Sequence, residues 1–316
     1  MKSAKAILFL YSESFLHPGA GTSAGVIDLP VQREVHTGYP VIPASSLKGS
    51  LRELAERKVH KELVEGIFGP ELRKKDNQAN ETGFAGAISI NDARLLAFPV
   101  RSFTRSFFWV TCPLVLGRFK RDLGIMNIDA TWPDLMVDET TKEALIPETG
   151  AEGQIFFEEM DFYARIESGI TQFTKFLAEN IDATLIGGAY HDKIQRDLAV
   201  ISDSDFNYLV RFGTQVTART KLTSLKTTNK IQNGDQQEEG NLWYEETLPP
   251  ECLFYAPIMA EPARGGTAAS KLDTGNKVLE ELEKNILTEK FLQVGGNETL
   301  GQGWCAVCLR RGGEAG

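Results

Sequence analysis

The sequence predicts an α+β chain in which a ferredoxin-like β-α-β-β-α-β core is interrupted by long insertions, one of them a projecting hairpin. Three observations carry this. Apolar strand-like runs and amphipathic helices follow that order when the two ends of the chain are read together. The middle of the chain does not continue the pattern. A polar segment rich in Thr, Asn, Gln and Gly (214–240) lies between stretches that read as folded, so it should project as a hairpin or loop, with its turn near Asn233-Gly234-Asp235.

Each element follows from its residues. A strand is expected near 4–12, where the run from Ala6 to Tyr11 is continuously apolar, and a helix near 45–64 with apolar side chains at helical spacing. A second strand is expected near 84–97. Strand-like apolar runs near 108–116 and 154–164 and a helix near 168–181 belong to the insertion. Residues 253–260 then read as a strand, 275–292 as a helix burying Val278, Leu279, Leu282, Ile286 and Phe291, and 304–310 as the last strand. Strands and helices in this order form the modified RRM core of RNA-recognition folds. The chain is thus expected to be one domain over 1–316, with its core from about 1–97 and 250–311, insertions over about 98–249, and a thumb over about 211–246.

With 316 residues, 42% of them hydrophobic and 24% charged, the chain has ample core and is neither disordered nor fibrous. The apolar run Ala6 to Tyr11 is too short for a secretory signal and no stretch approaches a membrane span, so a cytoplasmic location with no membrane partner is expected. Four cysteines make no disulfide framework. Cys305 and Cys308, three apart on a strand, point to opposite faces and read as packing residues rather than a zinc pair.

The net charge of −9 would argue against nucleic acid if it were evenly spread. It is not. Between Asp92 and Asp122 lie Arg94, Arg101, Arg105, Arg118, Lys120 and Arg121 with no acid, and between Asp205 and Asp235 lie Arg211, Arg219, Lys221, Lys226 and Lys230, again with none. Residues 122–167 hold twelve Asp or Glu against Lys142 and Arg165, a net of −10. Such segregation suits a basic groove with a solvated acidic back, because polyanion binding depends on local charge.

The most informative stretch is 17–52. A glycine-broken loop carries one acid, Asp28, and leads to Ser45 and Ser46, which can cap a helix bearing Lys48 and Arg52 on one face, with Gly49 between them. Serine hydroxyls, free backbone N–H groups and the positive end of the helix dipole make an anion site there, although an ordinary helix start has the same pattern. Near the C-terminus, Gly295-Gly-Asn-Glu-Thr-Leu-Gly-Gln-Gly303 supplies Gly295, Gly296, Gly301 and Gly303 for positive φ and close approach to a backbone or a phosphate. It is neither a Walker nor a Rossmann motif, since it follows a helix and precedes a strand.

Taken together, His17-Pro-Gly-Ala-Gly, Asp28-Leu-Pro-Val-Gln-Arg-Glu34, Pro40-Val-Ile-Pro-Ala-Ser-Ser-Leu-Lys-Gly-Ser-Leu-Arg52, Ile67-Phe-Gly69 and the terminal glycine loop resemble the RAMP superfamily. Leu242-Trp-Tyr-Glu-Glu-Thr-Leu-Pro249 and the stretch from His17 to Arg33 point further, to the backbone subunits of type III-B CRISPR (Cmr) effectors. Ala44 departs from the glycine usual there. The resemblance implies protomers that stack along a guide RNA beside other Cmr subunits, each with a thumb that interrupts the guide–target duplex, and each cutting the single-stranded target RNA next to the kink with a divalent metal, Mg²⁺ or Mn²⁺. It makes Asp28 the essential aspartate and metal ligand, and places His17 and one of Glu245 and Glu246 as auxiliary groups. Neighbours on a strand face opposite ways, so only one of the two acids can reach a site; Glu246 is the one taken here. RNA contact is expected, from the helix start, the second basic block and the glycine loop, at Ser45, Ser46, Lys48, Gly49, Arg52, Arg219, Lys221 and the four loop glycines.

The chemistry agrees with this. Attack by a 2′-hydroxyl needs an in-line geometry that A-form RNA lacks, so splaying one nucleotide supplies much of the rate and one acid with a metal suffices. His17 could move the proton. A RAMP enzyme that processes precursor guide RNA, or an architectural subunit with an inert Asp28, would share the fold; a metabolic phosphate-binding enzyme would need a nucleotide motif the chain lacks.

Overall fold

The computed structural model describes residues 3–21, 25–71, 83–181, 187–233, 236–238 and 240–313. The core begins with β1 (Ala4–Ser12), β2 (Val41–Ile42), α1 (Ala44–Lys58) and α2 (Lys61–Phe68), followed by β3 (Ile88–Ile90) and β4 (Ala93–Arg101). The insertion supplies β5 (Phe107–Thr111), α3 (Pro113–Ile125), β6 (Glu143–Ile146), β7 (Gly153–Phe157), β8 (Met160–Ile166) and α4 (Ser168–Asn180). It continues with α5 (Gly188–Ile194), β9 (Leu198–Val200), α6 (Asp203–Phe212), and the hairpin strands β10 (Gln215–Lys221), β11 (Ile231–Asn233), β12 (Gln236–Glu238) and β13 (Asn241–Thr247). The chain then returns to the core with β14 (Leu253–Ala260), α7 (Gly275–Glu281) running into a π turn (Leu282–Ile286), β15 (Phe291–Gln293) and β16 (Trp304–Arg311).

The main sheet runs β15-β16-β1-β14-β4-β5-β9-β6-β8-β7, with β3 on β14 and β2 on β4. Its segment β16-β1-β14-β4 is the ferredoxin-like order, antiparallel throughout, with Phe9 of β1 opposite Tyr255 of β14 and Cys308 of β16. Everything from β5 to β13 enters between the second and third core strands. The insertion therefore extends the core sheet, and β5 and β9 add a parallel pair to it.

Both faces of the core sheet are buried. One packs against α7 and, through the π turn, α1. The other is the face on which RNA-recognition domains ordinarily stack bases. Here it is filled with aromatic side chains of the insertion: Phe119 of α3 lies 6.0 Å from Phe9 and 4.6 Å from Tyr255, and packs on Trp132 and Phe176. Phe9, Tyr11 and Tyr255 are at most 3% exposed, so nucleic acid has no access to that face.

Several boundaries differ from expectation, each for a local reason. The helix expected over 45–64 is two, because Val59 and His60 adopt extended backbone between α1 and α2. The strand expected over 84–97 is broken at Asn91-Asp92, and the strand-like run 108–116 turns helical at Pro113, a residue suited to the first helical position. The run 154–164 is a hairpin turning at Glu158 (φ 53°). The helix expected to reach 292 ends at Ile286, and Phe291 lies on β15. α6 takes up the start of the expected thumb; Ser202 caps it, its Oγ accepting from the Asp205 N–H. The turn expected at Gly234-Asp235 lies outside the described residues.

Charge segregation in sequence does not become segregation in space. Arg94 pairs with Asp122, Arg101 with Glu158 and Glu159, Arg105 with Asp197, Arg118 with Glu34 and Lys120 with Asp134. Five of the six cations of the first basic block are thus paired with acids, several of them from 122–167. The hairpin differs, since Lys221 and Lys226 are exposed. The cysteines are free thiols, with Cys305 buried and the Cys308 Sγ against the Asn180 carbonyl. No described helix is long and apolar enough to cross a membrane.

Candidate active site

The loop after β1 runs between the base of the β10–β13 hairpin and the terminal glycine loop. Leu16 exchanges backbone hydrogen bonds with Leu248 (3.0 and 2.8 Å), the Gly303 N–H donates to the Phe15 carbonyl (2.7 Å), and the Gly296 N–H donates to the His17 carbonyl (3.0 Å). At Gly295 (φ 83°) a Cβ would stand 2.6 Å from the His17 carbonyl oxygen, and at Gly303 (φ 82°) 2.1 Å from that of Val294. These glycines thus clasp the loop by backbone approach. A Cβ at Gly296 would stand 3.3 Å from the His17 ring, while Gly301 borders open space.

His17 is 8% exposed. Its Nδ1 lies 2.7 Å from the Glu246 carbonyl oxygen, which can only accept, so Nδ1 carries the proton and Nε2 is the acceptor in the neutral ring. Nε2 points toward exposed Gly19, where a Cβ would lie 3.0 Å away.

Asp28 lies on the surface next to the hairpin. Its Oδ2 accepts the Tyr244 N–H (2.8 Å), the Leu29 N–H donates to the Tyr244 carbonyl (3.1 Å) and the Glu246 N–H to that of Leu29 (2.9 Å), so this loop pairs with β13 like an added parallel strand.

Glu246 is a buried hub, 3% exposed. Its Oε1 accepts from Arg33 Nη2 (2.6 Å) and Thr214 Oγ1 (2.8 Å), and Oε2 from the Val31 N–H (3.0 Å). Strand alternation sends Glu245 the other way, onto the Asn297 side-chain amide, with Arg219 Nη2 3.5 Å from its Oε1. Both carboxylates are held by protein partners.

The phosphate-site residues are divided. Helix α1 starts at Ala44 with no side-chain cap: its first N–H donates to the Asp92 carboxylate (2.7 Å), which stands where serine capping was expected, while Ser45 and Ser46 lie inside the first turn. Ser45 and Gly49 are exposed. Lys48 Nζ reaches the Ile88 carbonyl at 3.4 Å, and burial, then the nearby Arg52 charge, lowers its pKa. Arg52 is engaged by Glu56 and by the Gly69 carbonyl (2.8 Å). The structure thus joins His17, Asp28, Glu245, Glu246, Arg219 and the glycine loop at the hairpin base, whereas Ser45, Ser46, Lys48, Gly49 and Arg52 belong to the start of α1 and Lys221 to the far end of β10. The roles of Arg33, Thr214 and Asp92 were not legible, because their partners are distant in sequence.

Among the described residues no group of three or more His, Cys, Asp or Glu is arranged to hold a metal ion. A single exposed carboxylate still suits Mg²⁺ or Mn²⁺, which take oxygen ligands and complete their shells with water and substrate phosphate. Asp28 fits that requirement.

Residues 9–306 match the model of the RAMP superfamily. The chain is 36% identical over 306 residues to the CRISPR system Cmr endoribonuclease Cmr4 of Pyrococcus furiosus, covering 95% of this chain and 94% of that protein. It is 27% identical to the CRISPR system CMR subunit Cmr4 of Saccharolobus solfataricus, covering 93% of each. The crystal structure of oligomeric Cmr4 from Pyrococcus furiosus superposes with a TM-score of 0.69 at 29% identity, covering 98% of this chain and 99% of that one. This chain belongs to the RAMP superfamily, and within it to the Cmr4 family.

Proposed function

We propose that this chain is the backbone subunit of a type III-B CRISPR ribonucleoprotein and an endoribonuclease. Copies of it stack along a guide RNA beside other Cmr subunits, and each cuts the complementary target RNA. The observation that carries this reading is the exposed Asp28 carboxylate, fixed by the Tyr244 N–H at the root of a basic hairpin and flanked by a buried histidine with one nitrogen toward the surface. The relative named an endoribonuclease and the oligomeric solved structure support it.

In the proposed reaction the 2′-oxygen attacks the adjacent phosphorus, the bond from phosphorus to the 5′-oxygen breaks, and the products are a 2′,3′-cyclic phosphate and a 5′-hydroxyl. His17 Nε2 takes the 2′-hydroxyl proton, because the Glu246 carbonyl holds the proton of the neutral ring on Nδ1, and the departing 5′-oxygen takes a proton from solvent water. Asp28 would hold Mg²⁺ or Mn²⁺, which neutralises charge on the phosphate. Glu246 positions the groups and Glu245 anchors the glycine loop. Lys221 and Lys226, with Lys48 beside exposed Ser45 and Gly49, hold RNA phosphates.

The test is cleavage of a guide-complementary RNA by the assembled complex. Asp28→Ala should abolish cutting while target binding stays within about twofold. Wild-type cutting by that variant would overturn the reading.

A further inference from the structure

We infer that Tyr244 is the stacking platform for the base of a nucleotide flanking the scissile phosphate, a positioning role that rests on the nuclease reading above. In the β10–β13 ribbon the register pairs Val216 with Glu246, Ala218 with Tyr244 and Thr220 with Leu242. Side chains alternate, so Thr217, Arg219, Trp243 and Glu245 share one face, and Val216, Ala218, Thr220, Leu242 and Tyr244 share the other with Glu246, whose carboxylate Arg33 and Thr214 cover at the base of the ribbon. The first face is occupied by the Arg219–Glu245 pair and the glycine-loop contact. Beyond buried Glu246 the second is open: Tyr244 is 44% exposed, Leu242 53% and Val216 47%. The residue across from Tyr244 is alanine, which puts no bulk against the ring.

What singles out Tyr244 on this apolar face is its backbone. Its N–H is bonded to Asp28 Oδ2 and its carbonyl to the Leu29 N–H, so both peptide groups are tied to the catalytic loop and the ring has a fixed root one hydrogen bond from the carboxylate. A phosphate engaged at Asp28 would bring its neighbouring nucleotides to the strand that carries this ring. In-line attack needs one of those nucleotides out of the stack, and an unstacked base regains its lost contact most readily on an aromatic face. The sheet face that normally offers such rings is closed by Phe119 and its neighbours, so the hairpin is left to supply one. Exposed Lys221 and Lys226 on the same hairpin favour RNA over an apolar protein partner as the occupant.

The test uses assembled complexes with Tyr244→Phe and Tyr244→Ala, and a target carrying 2-aminopurine beside the cleavage site with a 2′-deoxy sugar there to stop cutting. We expect 2-aminopurine fluorescence to be quenched on binding to the wild type and Tyr244→Phe complexes and to stay high with Tyr244→Ala. On an unmodified target, kcat of Tyr244→Ala should fall about tenfold, with KM changed little and full rescue by Tyr244→Phe. The exposed ring predicts unchanged thermal stability. Equal quenching by Tyr244→Ala overturns the proposal, and so does a shorter protomer stack in Tyr244→Ala before target is added, which would make this face a contact between copies. If the wild-type complex does not cut, the nuclease reading fails, and the fluorescence alone still decides whether Tyr244 stacks on the base.

Discussion

His17 and Glu246 are coupled through a main-chain carbonyl: the histidine Nδ1 donates to the Glu246 oxygen at 2.7 Å while the glutamate's own carboxylate faces the other way, onto Arg33, Thr214 and the Val31 N–H. One residue thereby fixes the imidazole tautomer and ties the loop that carries His17 to the hairpin. Its own carboxylate is taken up by protein partners.

That division of labour separates two classes of variant. Arg33→Ala leaves a buried carboxylate without its charged partner and should cost about 3 kcal/mol of stability, with cleavage falling alongside. Asp28→Asn should lose cleavage with the denaturation midpoint unchanged, since Asp28 is exposed and its partner Tyr244 N–H can bond an amide oxygen equally well. Parallel denaturant titrations and cleavage assays check both; a stable Arg33→Ala protein would show that the hub is dispensable.

Gly19 keeps the outer nitrogen of His17 uncovered. In Gly19→Ala the new methyl would lie 3.0 Å from Nε2, so cleavage should fall at least about a hundredfold, the lower range of a general base's contribution, while target binding is retained. Single-turnover rates on prebound target measure this directly.

The cations differ in what they hold. Replacing Lys48, Lys221 and Lys226 together with Ala should reduce the slope of log affinity against log salt by about 2, at about 0.7 per single-strand phosphate contact. Arg52→Ala should leave that slope alone and instead destabilise the fold by about 1 kcal/mol, because its guanidinium ties α1 to the Gly69 carbonyl at the end of α2. A salt series with each variant distinguishes them.

Burial without a charged partner pushes the Glu251 carboxyl up to about 7. In the unfolded chain this group ionises near 4.5, so between those values the folded state binds more protons than the unfolded one. Its contribution to stability is complete below about 4.5 and is lost as pH rises through about 7. Glu251→Gln should flatten that decline, as read from denaturation midpoints at pH 5 and pH 8.

By itself the sequence made legible the core strands and the segments that carry the candidate site. The strands 4–12, 253–260 and 304–310 are legible because their apolar runs are local, and the loop carrying His17 and Asp28, the glycine loop and the Glu245-Glu246 pair are legible as motifs. Only the tertiary structure decided how these are used. Ion pairs such as Arg101–Glu158 and Lys120–Asp134 neutralise most of the basic block that the sequence displays, since Coulomb attraction acts across space and not along the chain. Capping of α1 by Asp92 and the return of Phe119 onto Phe9 and Tyr255 are set where distant segments pack, so no local pattern records them. The choice between the acids of β13 was equally nonlocal: alternation says only that Glu245 and Glu246 diverge, while Arg33, Thr214 and Val31, all brought in from other segments, fix where the Glu246 carboxylate is held.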